Sequence, residues 1–292
     1  MKTFDHDCQG IKVYRFQPCY EVGGELRGKK ISPDTLWFST PKNLNDPMDI
    51  DHPLDDLMQE KGGDSPVLRE MAKVMYAPGQ IHYPRHLITE DLLLKIQDWA
   101  TTGGHSFDIC HEYHERLLQL GVACFTPNLD SPPMWAHYAS NWHGFAIEYC
   151  IQQMTISSAR DNDVFLQFWV NYGFRIEKTS LSELLFSPYE AVRRILSTKT
   201  IPWSYEQEWR LIHLSGGDTV VKLPHGMRMT GIILGPKSPC DQNKFFAEKC
   251  AEWNLPLRKI NLDPNRTLRL NTLSAVRQAT PADKPFEEQG EV

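Results

Sequence analysis

Apolar and polar residues alternate over 11–16 (Ile-Lys-Val-Tyr-Arg-Phe), the pattern of a half-buried strand. A polar loop at 23–30 precedes a second strand over 36–40. That strand is closed by Pro41 and by the dense turn signal Asn43-Leu44-Asn45-Asp46-Pro47. From Asp51 to about Leu120 the period lengthens to that of a helix. Segments at 66–76, 89–99 and 106–120 carry apolar residues at i, i+3 and i+4, with Thr89 before Glu90 and Asp91 as a start and Gly103-Gly104 as a stop. Strand character returns at 122–126. Pro132-Pro133 then opens a short helix through Ala139, and a further strand covers 144–149. The remainder predicts a buried apolar run at 164–172, a helix over 180–197 and a strand over 206–214. After these come a short buried strand at 231–235, a helix over 241–253 and terminal strands at 258–262 and 267–270. No repeat or low-complexity tract interrupts this order.

Short strands mixed with helices predict an α+β fold. The expected organisation is a single domain over 1–272, an inserted helical lobe at about 51–120, and a solvated, flexible tail over 273–292. The 292 residues carry Lys+Arg 31 against Asp+Glu 37, a formal charge of -6, which argues against a strongly basic nucleic-acid binder. No apolar run approaches the ~18–20 residues of a membrane span, and the first eight residues have no apolar core of an export signal. The seven cysteines, Cys8, Cys19, Cys110, Cys124, Cys150, Cys240 and Cys250, form no C-x-x-C pair. They are expected to be reduced thiols in a cytoplasmic protein.

The densest candidate chemistry is Trp203-Ser204-Tyr205-Glu206-Gln207-Glu208-Trp209-Arg210. On a strand, Glu206 and Glu208 point to one face. Paired there, they repel, so one pKa rises or a cation must intervene. Such a pair suits a site where positive charge develops in the transition state. The plain alternative is an exposed polar face with Arg210 as a local ion partner.

Three motifs in chain order carry a resemblance: an apolar strand with an Arg (Val13-Tyr14-Arg15-Phe16), an aromatic Ser-Thr strand (Leu36 to Pro41), and the Glu-x-Glu segment. Together they resemble the Arg–Ser–Glu pattern of the ADP-ribosyltransferase superfamily. The chain has Ser39-Thr40-Pro41 where Ser-Thr-Ser is usual. The resemblance implies a split β-sheet core and NAD as substrate. By it, Glu208 with Glu206 is catalytic, Arg15 contacts a phosphate or ribose of NAD, and Ser39 with Thr40 supports the nicotinamide-side ribose; Tyr14, beside Arg15, is expected in the same pocket. A closer resemblance runs through FSTPKNLNDPMD (38–49), CFTPNLDSPPMWAHYASNWHGFAIEY (124–149) and YEQEWRL (205–211). These are similar to signatures of a widespread bacterial family met in toxin–antitoxin and phage-defence settings. Glycosidic cleavage of NAD passes through an oxocarbenium-like cation that a carboxylate stabilises, and Arg suits a diphosphate because it is planar and always charged.

His137 and Tyr138 offer hydrogen bonds and a stacking surface for a nicotinamide or adenine ring; the alternative is a helix packed on the sheet. Glu148 is a candidate second acid of the pocket or an ion partner. Asp46, Asp49 and Asp51 could hold a divalent cation or simply form a turn. His105, Cys110, His111 and His114 fall short of a zinc pattern, so no metal is expected. Arg193, Arg194 and Lys199, leading into Trp203 and Tyr205, suit unpaired bases or a helix end. The expected function is transfer of ADP-ribose from NAD to a macromolecule, RNA or DNA favoured over protein, by a toxin or defence effector open to restraint by an antitoxin, with no membrane partner. The alternatives are a metal-dependent nuclease or phosphodiesterase using Asp46, Asp49, Glu206 and Glu208, and a non-catalytic ligand sensor.

Overall fold

A computed structural model describes residues 10–46, 49, 65–80, 85–103, 106–152, 164–174, 179–263 and 268–274. The alternating segment at the start forms β1 (Ile11–Gln17), and Thr35–Phe38 forms β2. The helical lobe follows as α1 (Pro66–Met75), α2 (Glu90–Thr102) and α3 (Ser106–Leu117). Next come β3 (Gly121–Phe125), α4 (Pro132–Tyr138) and β4 (Phe145–Ile151). The apolar run at 164–172 is two strands, β5 (Phe165–Trp169) and β6 (Asn171–Gly173). They lead into α5 (Leu181–Phe186), α6 (Pro188–Leu196), β7 (Thr198–Thr200) and β8 (Trp209–His213). The chain continues through β9 (Thr219–Lys222), β10 (Met227–Leu234), α7 (Cys240–Trp253), β11 (Leu257–Leu262) and β12 (Leu268–Ser274).

The fold is α+β, as expected. One sheet has the order β1-β4-β10-β11-β12, a second β3-β8-β5, and two smaller pairs are β2-β9 and β6-β7. Strand alternation sorts the core. Val13, Ile147 and Ile232 of the large sheet pack against Ala123, Phe125 and Leu211 of the three-stranded one. On its other face the three-stranded sheet gives Val122 and Ile212 to the helical lobe, where Trp99, Tyr113 and Leu117 close a second core. Two backbone bridges tie the sheets together, Tyr14 with Thr126 and Ser39 with Val122. They set β1 and the end of β2 against β3, whose Cys124 pairs in register with Arg210 of β8. This junction is where the candidate site forms.

Local chemistry explains most boundaries. Thr89 caps α2 through its hydroxyl, which accepts from the Leu92 amide, and Gly103 ends the helix in the left-handed conformation. Between α4 and β4 the chain turns through Ser140, Asn141 and Trp142, all at positive φ. Gly144 then passes so close to the Gln17 carbonyl that a Cβ would collide with it.

Four expectations need correction. The helix over 180–197 is broken at Ser187, because Pro188 has no amide proton to continue the ladder and instead starts α6. The strand over 206–214 begins only at Trp209: Glu206 ends a 3₁₀ turn (Ile201–Glu206) and Gln207 is left-handed at φ 44°. Leu273 and Ser274 belong to β12 rather than to the tail. Residues 275–292, Cys8, Asp51 and His105 lie outside the described residues. Cys19, Cys110, Cys124, Cys240 and Cys250 are free thiols, whereas Cys150 is disulfide-bonded, against the expectation of reduced thiols throughout. Among the described residues no helix is long and apolar enough to cross a membrane.

Candidate functional site

Three carboxylates, Asp49, Glu206 and Glu208, converge on two cations, Lys199 and Arg210, and all five side chains are buried. Lys199 follows α6 on β7 and places its Nζ 2.8 Å from Glu206 Oε2, 3.0 Å from Glu208 Oε2 and 3.2 Å from Asp49 Oδ2. Its ammonium also lies 5.3 Å from the centre of the Trp203 ring. Arg210, fully buried on β8, donates Nε to Glu208 Oε1 at 2.7 Å and Nη2 to Glu208 Oε2 at 3.1 Å. Its far side grips Asp49 through both terminal nitrogens and gives a further bond to the Leu196 carbonyl at 2.8 Å. A guanidinium so divided holds both carboxylates in fixed planes.

Glu206 and Glu208 meet although they do not share a strand face. The left-handed Gln207 reverses the chain between them, so both carboxylates reach the same ammonium. Glu206 also accepts a short hydrogen bond from the Tyr138 hydroxyl, which in turn accepts from Asn45 Nδ2 at 2.6 Å. The Glu208 amide donates to the Tyr172 hydroxyl at 2.8 Å, fixing the backbone at the start of β8.

A cavity of about 310 Å³ opens on this cluster, and Tyr14, Arg15, Ser39, Tyr138, Glu206 and Glu208 all line it. Those six are site residues named from the sequence. Two others are elsewhere. Thr40 gives its amide and hydroxyl to Asp218 (3.1 and 3.0 Å), anchoring the end of β2. His137 is exposed and stacks on Tyr205 at 6.1 Å, so Tyr138 alone of that pair faces the cavity. Glu148 is buried in a separate cluster with Arg258 (2.9 Å) and Lys12 (3.5 Å) and accepts from the Thr230 hydroxyl. The acidic turn contributes Asp49 to the cluster as a partner of cations.

The environments push the two glutamates apart. Burial acts to raise Glu208, but Arg210 and Lys199 outweigh it and hold the carboxyl down to about 2. For Glu206 burial prevails over Lys199 and Tyr138, and the pKa rises above its ordinary value. Burial and then the Glu206 charge raise Tyr138. Cys124, which hydrogen-bonds Glu208, is raised well above the usual thiol range by burial and by that carboxylate. Divergent pKa values in adjoining carboxyls are how enzymes separate an ionised group from a proton carrier.

A family model described as "Protein of unknown function (DUF2971)" matches residues 134–211. That span holds Tyr138, Lys199, Glu206, Glu208 and Arg210, so the match falls on the ion cluster and leaves Arg15, Ser39 and Asp49 outside. No curated protein and no solved structure matches the chain.

Among the described residues no group of three or more His, Cys, Asp or Glu side chains is arranged to hold a metal. The basic stretch before Trp203 is internally paired: Arg193 with Glu190 at 2.8 Å, Arg194 with Glu183, and Lys199 within the cluster. Sequence reasoning grouped Asp49 with Glu206 and Glu208 as ligands of a metal and named Arg210 as a local ion partner, but it did not place Lys199 at the centre of that group. The available signal was the demand that a close Glu pair makes for a cation, satisfied here by residues remote in sequence.

Proposed function

We propose that this chain transfers ADP-ribose from NAD to a macromolecular acceptor, with Glu208 as the catalytic carboxylate. One observation carries the reading. The Arg, Ser and Glu-x-Glu residues, brought from β1, the end of β2 and the start of β8, line a single cavity with an ionised carboxylate at its wall. The fit to NAD rests on this donor set. Arg15 offers a half-buried guanidinium that, among the described residues, meets no carboxylate and gives one hydrogen bond, to the Trp37 carbonyl at 2.7 Å. Such a group seeks an anion, and a diphosphate supplies one.

Breaking the nicotinamide–ribose bond leaves the electron pair on nicotinamide and positive charge on the ribose. Glu208 stabilises that charge and needs no reorganisation, since Arg210 and Lys199 fix its position. The acceptor's nucleophile then bonds to the ribose carbon, and its proton passes to Glu206, whose raised pKa suits a proton acceptor. A metal-dependent nuclease would instead need Asp49, Glu206 and Glu208 to turn toward a common ion, whereas each engages Lys199; Asp49 and Glu208 also engage Arg210, and Glu206 also engages Tyr138. Because Arg193, Arg194 and Lys199 are engaged in ion pairs, the preference for nucleic acid over protein has no support beyond the sequence pattern. A role as a toxin or defence effector predicts growth arrest on uncontrolled expression.

The test incubates adenylate-labelled NAD with the purified protein and a lysate split into protein, RNA and DNA. The wild type is expected to label one fraction. Arg15→Ala, which breaks no ion pair among the described residues, should label none while melting at a similar temperature. Label transfer that persists in both Arg15→Ala and a folded Glu208→Gln variant would overturn the reading.

A further inference from the structure

The cavity at the glutamates, about 310 Å³, is at the small end of ligand pockets, which run roughly 300–1,000 Å³. It has room for a ring and one sugar, not for a dinucleotide. A second cavity of about 460 Å³ borders it, and Arg15 and Gln17 line both. The second volume lies between β1–β4 and β2–β9, with Tyr149, Leu36 and Trp37 in its walls. Arg15 therefore stands at the junction, where the diphosphate of a donor spanning both cavities would lie.

Past Arg15 the second cavity is lined by two further cations, Arg27 and Lys30. They share one carboxylate: Arg27 pairs with Glu21, and Lys30 Nζ lies 3.5 Å from the same Glu21 oxygen. Arg27 Nε donates to Gln17 Oε1 at 3.1 Å, which aims the guanidinium along the cavity wall. The local balance is one positive charge in excess, in addition to Arg15. The hydroxyls of Ser32 and Thr35 line the same space. A nucleoside end is neutral and has no use for this excess. A phosphate on its ribose does, because guanidinium and ammonium donors to phosphate are among the stronger hydrogen bonds.

We propose that the second cavity is a subsite for a ribose-bound phosphate, so that a nicotinamide dinucleotide carrying a 2′-phosphate is preferred to NAD as the donor. This rests on the transferase reading for the donor's other half, but the subsite can be measured alone. The probes are adenosine 2′,5′-bisphosphate and adenosine 5′-monophosphate, which differ only in the 2′-phosphate, titrated calorimetrically into the full chain. The bisphosphate should bind about tenfold more tightly or better. Arg27→Gln/Lys30→Gln should bring the two probes level, and Glu21→Gln, which removes the competing carboxylate, should strengthen bisphosphate binding. Equal affinities in the wild type, a preference that survives the double substitution, or binding of neither probe would each overturn the subsite.

Nicotinamide release separates this proposal from the one beneath it. Release from the unphosphorylated dinucleotide with no preference for the 2′-phosphorylated one overturns the subsite and leaves the transferase. A bisphosphate preference with no release from either dinucleotide overturns the transferase and supports the subsite.

Discussion

Glu208 and Glu206 share one lysine yet titrate in opposite directions, and each direction has a consequence. An unperturbed glutamate titrates near 4.3, so Glu208, held to about 2, adds stability that is complete above about pH 4.3 and is lost as pH falls toward 2. Glu206, raised by burial, contributes with the opposite sign: its share is present at low pH and is lost as pH rises through its folded value. Thermal melts at neutral pH should therefore rank Glu208→Gln as the costlier change, about 3–5 kcal/mol, because it breaks a buried ion pair and leaves Arg210 with Asp49 as its one carboxylate. Glu206→Gln should cost clearly less. Equal losses would contradict this division of roles. Alkylation gives a second check at this scale. Cys240 is exposed, while burial raises Cys110, Cys124 and Cys250. Iodoacetamide at pH 8 should label Cys240 before any of these three, read by peptide mass. The cavity-lining residues most legible in the sequence were those inside short motifs, such as Arg15, Ser39 and Glu208. The contact of Asp49 with Arg210 was not, since it spans 161 positions and no local pattern encodes it.

At the scale of elements, periodicity located the helical lobe and the strands of the large sheet, where one face is apolar and the other is not. It failed where backbone conformation changes within a few residues. The Glu-x-Glu segment has strand-like spacing, but Pro202 opens a 3₁₀ turn and Gln207 then takes a left-handed φ of 44°. That conformation costs a non-glycine residue roughly 1–2 kcal/mol. Gln207→Gly should hold or raise the melting temperature, and Gln207→Val should lower it. A tolerated valine would show that Gln207 does not form the bend between the glutamates. The small pairs β2–β9 and β6–β7 were only partly anticipated, because strands of three or four residues carry too few alternations to show a period. Thr89 illustrates the reverse case. A cap is a local signal and reads directly, and Thr89→Ala should destabilise α2 by about 1 kcal/mol in a denaturant melt.

Across the whole molecule, the site exists because two sheets are pinned at β3. The bridges Tyr14–Thr126 and Ser39–Val122 hold Arg15 and Ser39 beside the strand pair that delivers Glu208. The helical lobe packs on the outer face of that pair and, among the described residues, supplies no lining residue used in the proposed chemistry. The α+β class was legible from the mixture of periods. The cavity was not, because it is made by sheet pairings between distant strands, and hydrophobic pattern fixes which face of a strand is buried without fixing its neighbour. In the proposed function this cavity cleaves the nicotinamide–ribose bond by means of an ionised Glu208. The most direct test is nicotinamide release from NAD and from its 2′-phosphorylated form by purified wild type, Arg15→Ala and Glu208→Gln, each verified as folded by its melt. The wild type is expected to release nicotinamide from at least one dinucleotide, with near-complete loss in both variants. Absence of release from either dinucleotide, or release that survives in both folded variants, would contradict the proposal.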